Sequence, residues 1–164
     1  SLFMIKPDRR ELCMFVGYDA GTDGDIEALT KSIVNKGRCE NIVISLGAAG
    51  ALLVRNDRSL SVHAPKVRIV SRVGAGYGMV AGIILCLSRG RGIEEAVKYG
   101  VAAGSSAVTT PGSELSRRRD TEGLVPENTS RMMTLIFVHR HTGERDEDSH
   151  FRSRTLGAGF LLEA

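Results

Sequence analysis

The apolar residues of this chain follow two patterns, which together predict alternating strands and helices. Short, unbroken apolar runs between glycines or polar turn residues indicate buried strands, and apolar residues three and four positions apart indicate helices with one buried face. The predicted strands are residues 2–5, 41–46, 51–55, 59–62 and 67–70, and the predicted helices are residues 9–16, a segment capped by Thr22 or Asp23 and ended by Gly37, residues 78–88 and residues 93–108. This order predicts an α/β domain in which helices cover a largely parallel sheet.

The last quarter of the chain has a different pattern. From residue 126 onward, clusters of charged residues alternate with apolar patches at 132–138 and 160–162, and no period is sustained. We therefore expect a folded unit at residues 1–125 and an irregular, poorly ordered appendage at residues 126–164.

Composition narrows the class of protein. The 22 basic and 19 acidic residues are mixed along the chain, so the net charge of +3 gives no reason to expect nucleic-acid binding. Three widely spaced cysteines without a C-x-x-C pair suggest neither disulfides nor a zinc site. His139, His141 and His150 match no defined metal-ligand spacing. The cysteine pattern fits a reducing cytoplasm best. No apolar run approaches the ~18 residues of a membrane helix, so we expect a soluble protein.

The glycine-rich segment Val73-Gly74-Ala75-Gly76 is the strongest chemical signal. It lies between a predicted strand and a predicted helix, where glycines let the backbone turn with its N–H groups inward and the helix N-terminus adds partial positive charge. This combination is a cradle for a phosphate or an oxyanion. A dinucleotide fingerprint fits less well, because Met79 stands at the third glycine position, and the absence of Gly-Lys-Ser or Gly-Lys-Thr excludes a P-loop.

Four sequence motifs, in order along residues 3–125, resemble the ribokinase-like (PfkB) carbohydrate kinases, and within them the phosphofructokinases and other phosphosugar kinases. They are Lys6-Pro7-Asp8-Arg9-Arg10-Glu11, Ser45-Leu46-Gly47-Ala48-Ala49-Gly50, the glycine segment with Tyr77, and Val101-Ala102-Ala103-Gly104-Ser105. Taken singly, three of them have a plainer interpretation: helix-start acids for the first, a hairpin turn for the second and core packing for the fourth. The resemblance implies the nucleotide-binding portion of a three-layer, ribokinase-like (Rossmann-like) fold, without the N-terminal strands and lid.

The resemblance also implies ATP, Mg²⁺ and a monovalent cation such as K⁺ as cofactors. The residues that would form the anion hole are Gly74, Ala75 and Gly76. Those that would bind the nucleotide are Lys6, Asp8, Glu11, Ser45, Gly47, Gly50, Val101 and Ser105, with Asp8 and Glu11 also organising Mg²⁺. Those that would hold the monovalent cation, mainly by backbone carbonyls, are Ser71, Val73, Ala107, Thr110 and Gly112.

Two departures from the family pattern weaken the enzymatic interpretation. Tyr77 stands where relatives carry the aspartate base, and a neutral phenol does not replace a carboxylate. Relatives also carry a sugar-binding half, which has no counterpart here. We therefore expect an impaired, 6-phosphofructokinase-like phosphotransferase that meets a phosphosugar only if the other half is supplied. The alternatives are a non-catalytic nucleotide-binding or interaction protein and a gene fragment without independent function. Self-association is expected through an uncovered sheet edge and apolar helix faces.

Overall fold

A computed structural model describes residues 1–17, 22–111, 116–125, 130–134 and 161–163. The helices are α1 (Arg9–Val16), α2 (Asp23–Asn35), α3 (Ala75–Ser88), α4 (Ile93–Ala107) and α5 (Arg118–Leu124). The strands are β1 (Leu2–Ile5), β2 (Cys39–Ser45), β3 (Ala51–Val54), β4 (Arg58–Val62), β5 (Ser130–Thr134) and β6 (Leu161–Glu163), and a 3₁₀ turn at Gly47–Ala49 joins β2 to β3. Among the helices of these segments, none is both long and apolar enough to cross a membrane.

The strands form one sheet in the order β5-β4-β3-β2-β1-β6. Among the strands named above, only β1 and β2 run parallel, with Met4 opposite Asn41, and the other four pairs are antiparallel. The expectation of a largely parallel sheet is therefore wrong. The reason lies in the connections, since β2, β3 and β4 are joined by tight turns, and a tight turn joins only antiparallel strands, whereas a parallel pair needs a long crossover.

The C-terminal residues contribute to this sheet. β5 pairs with β4, placing Leu60 opposite Met132, and β6 pairs with β1. The expectation of an irregular segment is wrong for residues 130–134 and 161–163, which coincide in part with the two apolar patches seen in the sequence. The outer edge of β1 is paired as well, so the uncovered sheet edge that was expected does not lie at β1.

The segment before α3 also differs from expectation. Residues 67–70 do not form a strand, because β5 already occupies the outer edge of β4. Their end is held instead by two backbone hydrogen bonds, in which the N–H groups of Val70 and Ser71 donate to the carbonyl of Val108 at 2.8 and 3.2 Å. Helix α3 begins at Ala75, three residues earlier than predicted, so it includes Ala75 and Gly76 of the glycine segment.

The sheet has a buried core on each side, which confirms the three-layer arrangement. Along β2, Ile42 and Ile44 pack with α1 and α2, whereas Val43 packs with α3 and α4. This alternation follows from the two-residue period of a strand. The N-terminal end of α3 is thereby placed against α4 and beside the sheet.

A seam of glycines lets α3 and α4 approach closely. A Cβ atom added at Gly100 would lie 2.8 Å from the Met79 carbonyl oxygen, and one added at Gly104 would lie 2.9 Å from that of Ala75. Both distances are shorter than a real Cβ contact. Because Ala75 is the first residue of α3, the seam fixes the position of the glycine segment on α4.

Candidate functional site

The first motif folds into the start of α1 through a reciprocal capping box. The carboxylate Oδ1 of Asp8 accepts a hydrogen bond from the Glu11 backbone N–H, and Oε2 of Glu11 accepts one from the Asp8 N–H, both at 2.8 Å. This pairing satisfies two helix-start donors. The plainer interpretation of both acids as helix-start residues is confirmed, and the capping box uses only one oxygen of each carboxylate.

The second motif is joined to the first by backbone and side-chain bonds. The Ser45 N–H donates to the Pro7 carbonyl at 3.0 Å, and the ammonium Nζ of Lys6 donates to the Ser45 hydroxyl Oγ at 3.1 Å. Beyond Ser45 the chain turns through Gly47 and Gly50, both with positive φ. No residue with a side chain fits at position 50, since its Cβ would collide with the Val62 carbonyl. The hairpin-turn interpretation of this motif is confirmed.

The glycine segment brings a helix N-terminus to the same place. Gly74 adopts a left-handed conformation, φ 89°, as the residue before α3, and its carbonyl accepts from the Gly78 N–H at 2.8 Å. Lys6 Nζ lies 3.9 Å from the position that a Cβ on Gly76 would take. One ammonium group therefore touches the second motif and approaches the third.

This arrangement favours a bound anion. The first N–H groups of a helix have no intrahelical acceptor, and they carry partial positive charge. At α3 they lie beside the full charge of Lys6, and a glycine at position 76 leaves room for a ligand to approach the backbone. Tyr77, in the first turn of α3, exposes 67% of its surface to solvent.

The segments predicted to hold a monovalent cation are neighbours in the structure. Residues 70–71 are bonded to the Val108 carbonyl, and in the next turn the Thr110 hydroxyl donates to the Ala107 carbonyl at 3.0 Å. Ser71 Oγ accepts from the Val73 N–H at 3.2 Å. Gly112, also predicted to belong to this site, lies outside the described residues.

Sequence reasoning missed two groups near these segments. The hydroxyl of Ser106 is buried, with the residue 1% exposed, and has no hydrogen-bond partner among the described residues. The Val108 carbonyl anchors the segment before the glycines. The adjacent Ser105-Ser106 pair was a weak signal for the hydroxyl, whereas a backbone carbonyl leaves none in the sequence.

The fourth motif lies deeper than the other three. Val101 and Ser105 are both buried in α4, and Val101 packs in the core with Met79 and Ile83 of α3. Core packing, its plainer interpretation, is confirmed for Val101. Within the described residues no cluster of three or more His, Cys, Asp or Glu side chains is assembled, and the three histidines at 139, 141 and 150 lie outside them.

The known proteins to which this chain is similar include phosphofructokinases. The ATP-dependent 6-phosphofructokinase isozyme 2 of Escherichia coli K12 is 37% identical over 122 residues, covering 74% of this chain and 40% of that protein. The 1-phosphofructokinase of Bacillus subtilis 168 is 32% identical over 125 residues, covering 76% of this chain and 40% of that protein. The crystal structure of E. coli phosphofructokinase-2 in complex with potassium superposes with a TM-score of 0.73 at 35% identity, over 76% of this chain and 40% of that one.

The chain thus spans about 40% of the length of these curated relatives. The family model described as pfkB family carbohydrate kinase matches residues 2–119, the stretch that contains all four motifs. With its ribokinase-like fold and its motifs assembled around the glycine segment, the chain belongs to the pfkB family of carbohydrate kinases.

Proposed function

We propose that residues 1–125 are the nucleotide-binding portion of an ATP-dependent, 6-phosphofructokinase-like sugar kinase, acting in the cytoplasm, and that this chain binds nucleotide but transfers phosphoryl groups poorly. The observation that carries the proposal is the position of Lys6. Its ammonium bonds to Ser45 at 3.1 Å and lies 3.9 Å from the Cβ position of Gly76, so it gathers three motifs around one charge. ATP, when bound, supplies the phosphoryl group for a phosphosugar hydroxyl.

In this proposal the phosphate end is held by α3 and Lys6. Gly74, Ala75 and Gly76 present backbone N–H groups to an anion, and the ammonium of Lys6 neutralises part of its charge. The turn from Ser45 to Gly50 and the end of α4 form the walls for the rest of the nucleotide. Interactions of this kind hold and orient a transferring phosphoryl group, and orientation with charge stabilisation is most of what phosphoryl transfer needs.

The two acids of α1 fit a role toward Mg²⁺. Mg²⁺ commonly binds one or two carboxylates together with water and substrate phosphates, rather than a cage made only of protein. Asp8 and Glu11, two and five residues after Lys6, each keep one carboxylate oxygen outside the capping box. They would meet the ion directly or through water, and Asp8 would add negative charge near phosphate.

The region around Val108 fits a monovalent cation. Such an ion is held by carbonyl and hydroxyl oxygens, and Ala107, Thr110 and Ser71 offer both kinds. The buried hydroxyl of Ser106, next to Ala107 in sequence, has no hydrogen-bond partner in the described part of the chain. One structural relative is a potassium complex. K⁺ bound here would brace the segment that leads into the glycines.

A second candidate function is non-catalytic nucleotide binding, and Tyr77 favours it. The position in the first turn of α3 where relatives place a base carries an exposed phenol. A missing base typically costs about 10² to 10⁴ in rate. A phosphosugar would be a substrate only with a sugar-binding portion present. The E. coli relative has a structure described as a tetrameric inhibited form, and we propose weak self-association for this chain.

Titration of a charge variant tests the proposal. Lys6→Gln should weaken the affinity for Mg·ADP by about tenfold, since a hydrogen bond to a charged group contributes roughly 1.5–3 kcal/mol and exposure reduces it. The matched control Lys36→Gln changes an exposed lysine just after α2 and should leave the affinity unchanged. Equal affinities for wild type and Lys6→Gln would refute the assignment. In a coupled assay, wild-type turnover of fructose 6-phosphate at or below the no-enzyme rate is expected, and clear turnover would refute the impairment.

A further inference from the structure

Helix α3 has an exposed stripe that is unusually apolar. Its 14 residues include no charged side chain, and its buried side packs on α4 through Met79, Ile83 and Cys86. Apart from Gly76 in the first turn, the residues that remain exposed are Tyr77, Ala81, Ile84, Leu85 and Ser88. With 3.6 residues per turn they fall within about 100° of the helix circumference. A helix that is apolar on all sides is normally covered on all sides.

The segment leading into α3 continues this surface. Six of the seven large apolar residues that are exposed in the described part of the chain lie between residues 69 and 85. They are Ile69, Val70, Val73, Tyr77, Ile84 and Leu85, and we call them the α3 face; the seventh is Met14 on α1. Exposed apolar residues are usually scattered singly, and their concentration marks a contact surface.

Charge shows what kind of partner fits the α3 face. Residues 64–92 contain five basic side chains and no acidic one, and the exposed Arg72 and Arg89 stand at the two ends of α3. A second copy laid on this face by a two-fold axis would bring arginines of one chain toward those of the other, which is unfavourable. An apolar segment bordered by acidic residues would be complementary.

Length identifies the source of such a segment. Relatives of the family are more than twice as long as the stretch they share with this chain, because the match covers only 40% of them. We propose that the α3 face is the docking surface for the portion of a pfkB-type kinase that this sequence does not contain, through an apolar segment of that portion bordered by acidic residues. Docking there would bring that portion to the glycine segment, where α3 begins. Docking at this face does not require nucleotide binding by this chain.

Co-expression tests the proposal. The probe is the part of E. coli 6-phosphofructokinase isozyme 2 outside the 122 matched residues, expressed together with this chain, and the mass of the product is measured by light scattering. A one-to-one complex is expected. Ile84→Lys should abolish it, whereas Met14→Lys, which places the same charge at the exposed apolar residue of α1, should preserve it. A complex that Ile84→Lys leaves intact, or pairs of this chain that exclude the probe, would overturn the proposal.

If the E. coli part aggregates when it is expressed as a separate chain, no complex forms whatever the α3 face binds. A second measurement therefore joins both parts in a single chain. The same part of the E. coli enzyme is fused before Ser1, and thiol labelling is read at each cysteine by peptide mass spectrometry. Ile84→Cys should react at least about tenfold more slowly in the fusion than in the chain alone, with Met14→Cys equally fast in both. Equal rates at Ile84→Cys would overturn the proposal. Titrating both proteins with Mg·ADP reports on nucleotide binding independently.

Discussion

Substituting Gly104 by alanine should disturb the glycine segment from the opposite helix. The added Cβ would lie 2.9 Å from the Ala75 carbonyl oxygen, half an ångström less than the 3.4 Å at which ordinary contact begins. The obstacle is backbone rather than a flexible side chain, so α3 or α4 must move. Alanine gains about 1 kcal/mol over glycine in a helix interior, but overpacking costs about 1–3 kcal/mol. We expect a net loss of about 1 kcal/mol in the free energy of unfolding, or about 3 °C in Tm.

Two further substitutions distinguish the displacement of Ala75 from a general loss of stability. Gly100→Ala meets the Met79 carbonyl at 2.8 Å, one turn deeper in the same seam, and should cost a similar amount of stability. Gly123→Ala in α5 meets nothing within 4 Å and should stabilise slightly. Of the three, only Gly104→Ala should also weaken Mg·ADP binding, by about threefold to tenfold, because it displaces Ala75. Urea unfolding and calorimetry measure the two effects. A Gly104→Ala variant as stable and as tightly binding as wild type would refute the role of the seam.

Three other predictions concern single side chains. Asp8→Asn should keep the α1 cap and leave stability within about 0.5 kcal/mol. It should tighten Mg·ADP binding, because a negative charge near phosphate is removed while the amide oxygen can still meet Mg²⁺; unchanged affinity by calorimetry would count against Asp8 facing the phosphates. Burial raises the pKa of the Cys39 thiol above its ordinary 9.0, so the folded state retains a proton that the unfolded chain loses. The free energy of unfolding should therefore fall as pH rises beyond about 9. In urea unfolding at alkaline pH, Cys39→Ala should show a shallower decline, and an identical decline would exclude this thiol as the source. Tyr77→Asp should restore no turnover of fructose 6-phosphate in the isolated chain, since a base without a positioned substrate has no proton to take. Rescue by this change alone would show that a sugar site is present.

Local sequence signals predicted most of the fold. The cap at Thr22 and the left-handed Gly37 bound α2 as expected, because a cap depends on residues only a few positions apart. Sheet pairing was predicted less well, since it depends on residues far apart in sequence. Residues 67–70 have the composition of a strand but no edge to pair with, and residues 130–134 take the edge of β4.

The candidate site shows the same division between local motifs, which the sequence predicts, and long-range contacts, which it does not. The motifs around Asp8, Ser45 and Gly74 were visible in the sequence, and so were their plainer structural roles. Their meeting point was not, because the contact of Lys6 with Ser45 joins residues 39 positions apart. The Ser106 hydroxyl and the Val108 carbonyl were missed because burial and backbone bonding follow from packing. Exposed apolar helix faces were expected from the sequence, but their location on α3 was not, since an apolar helix in a sequence suggests a buried one.

Calorimetric titration of the purified wild-type chain with Mg·ATP and Mg·ADP, under identical conditions, tests nucleotide binding most directly. One saturable site is expected for both nucleotides, with ADP bound as tightly as ATP or more so, because Asp8 adds negative charge and Tyr77 adds bulk where the terminal phosphate would lie. ATP binding more than about tenfold tighter, a difference of roughly 1.4 kcal/mol, would show that the glycine segment still recognises that phosphate. No saturable binding of either nucleotide to a folded chain would contradict the proposal that this chain is a nucleotide-binding portion of a pfkB-type kinase.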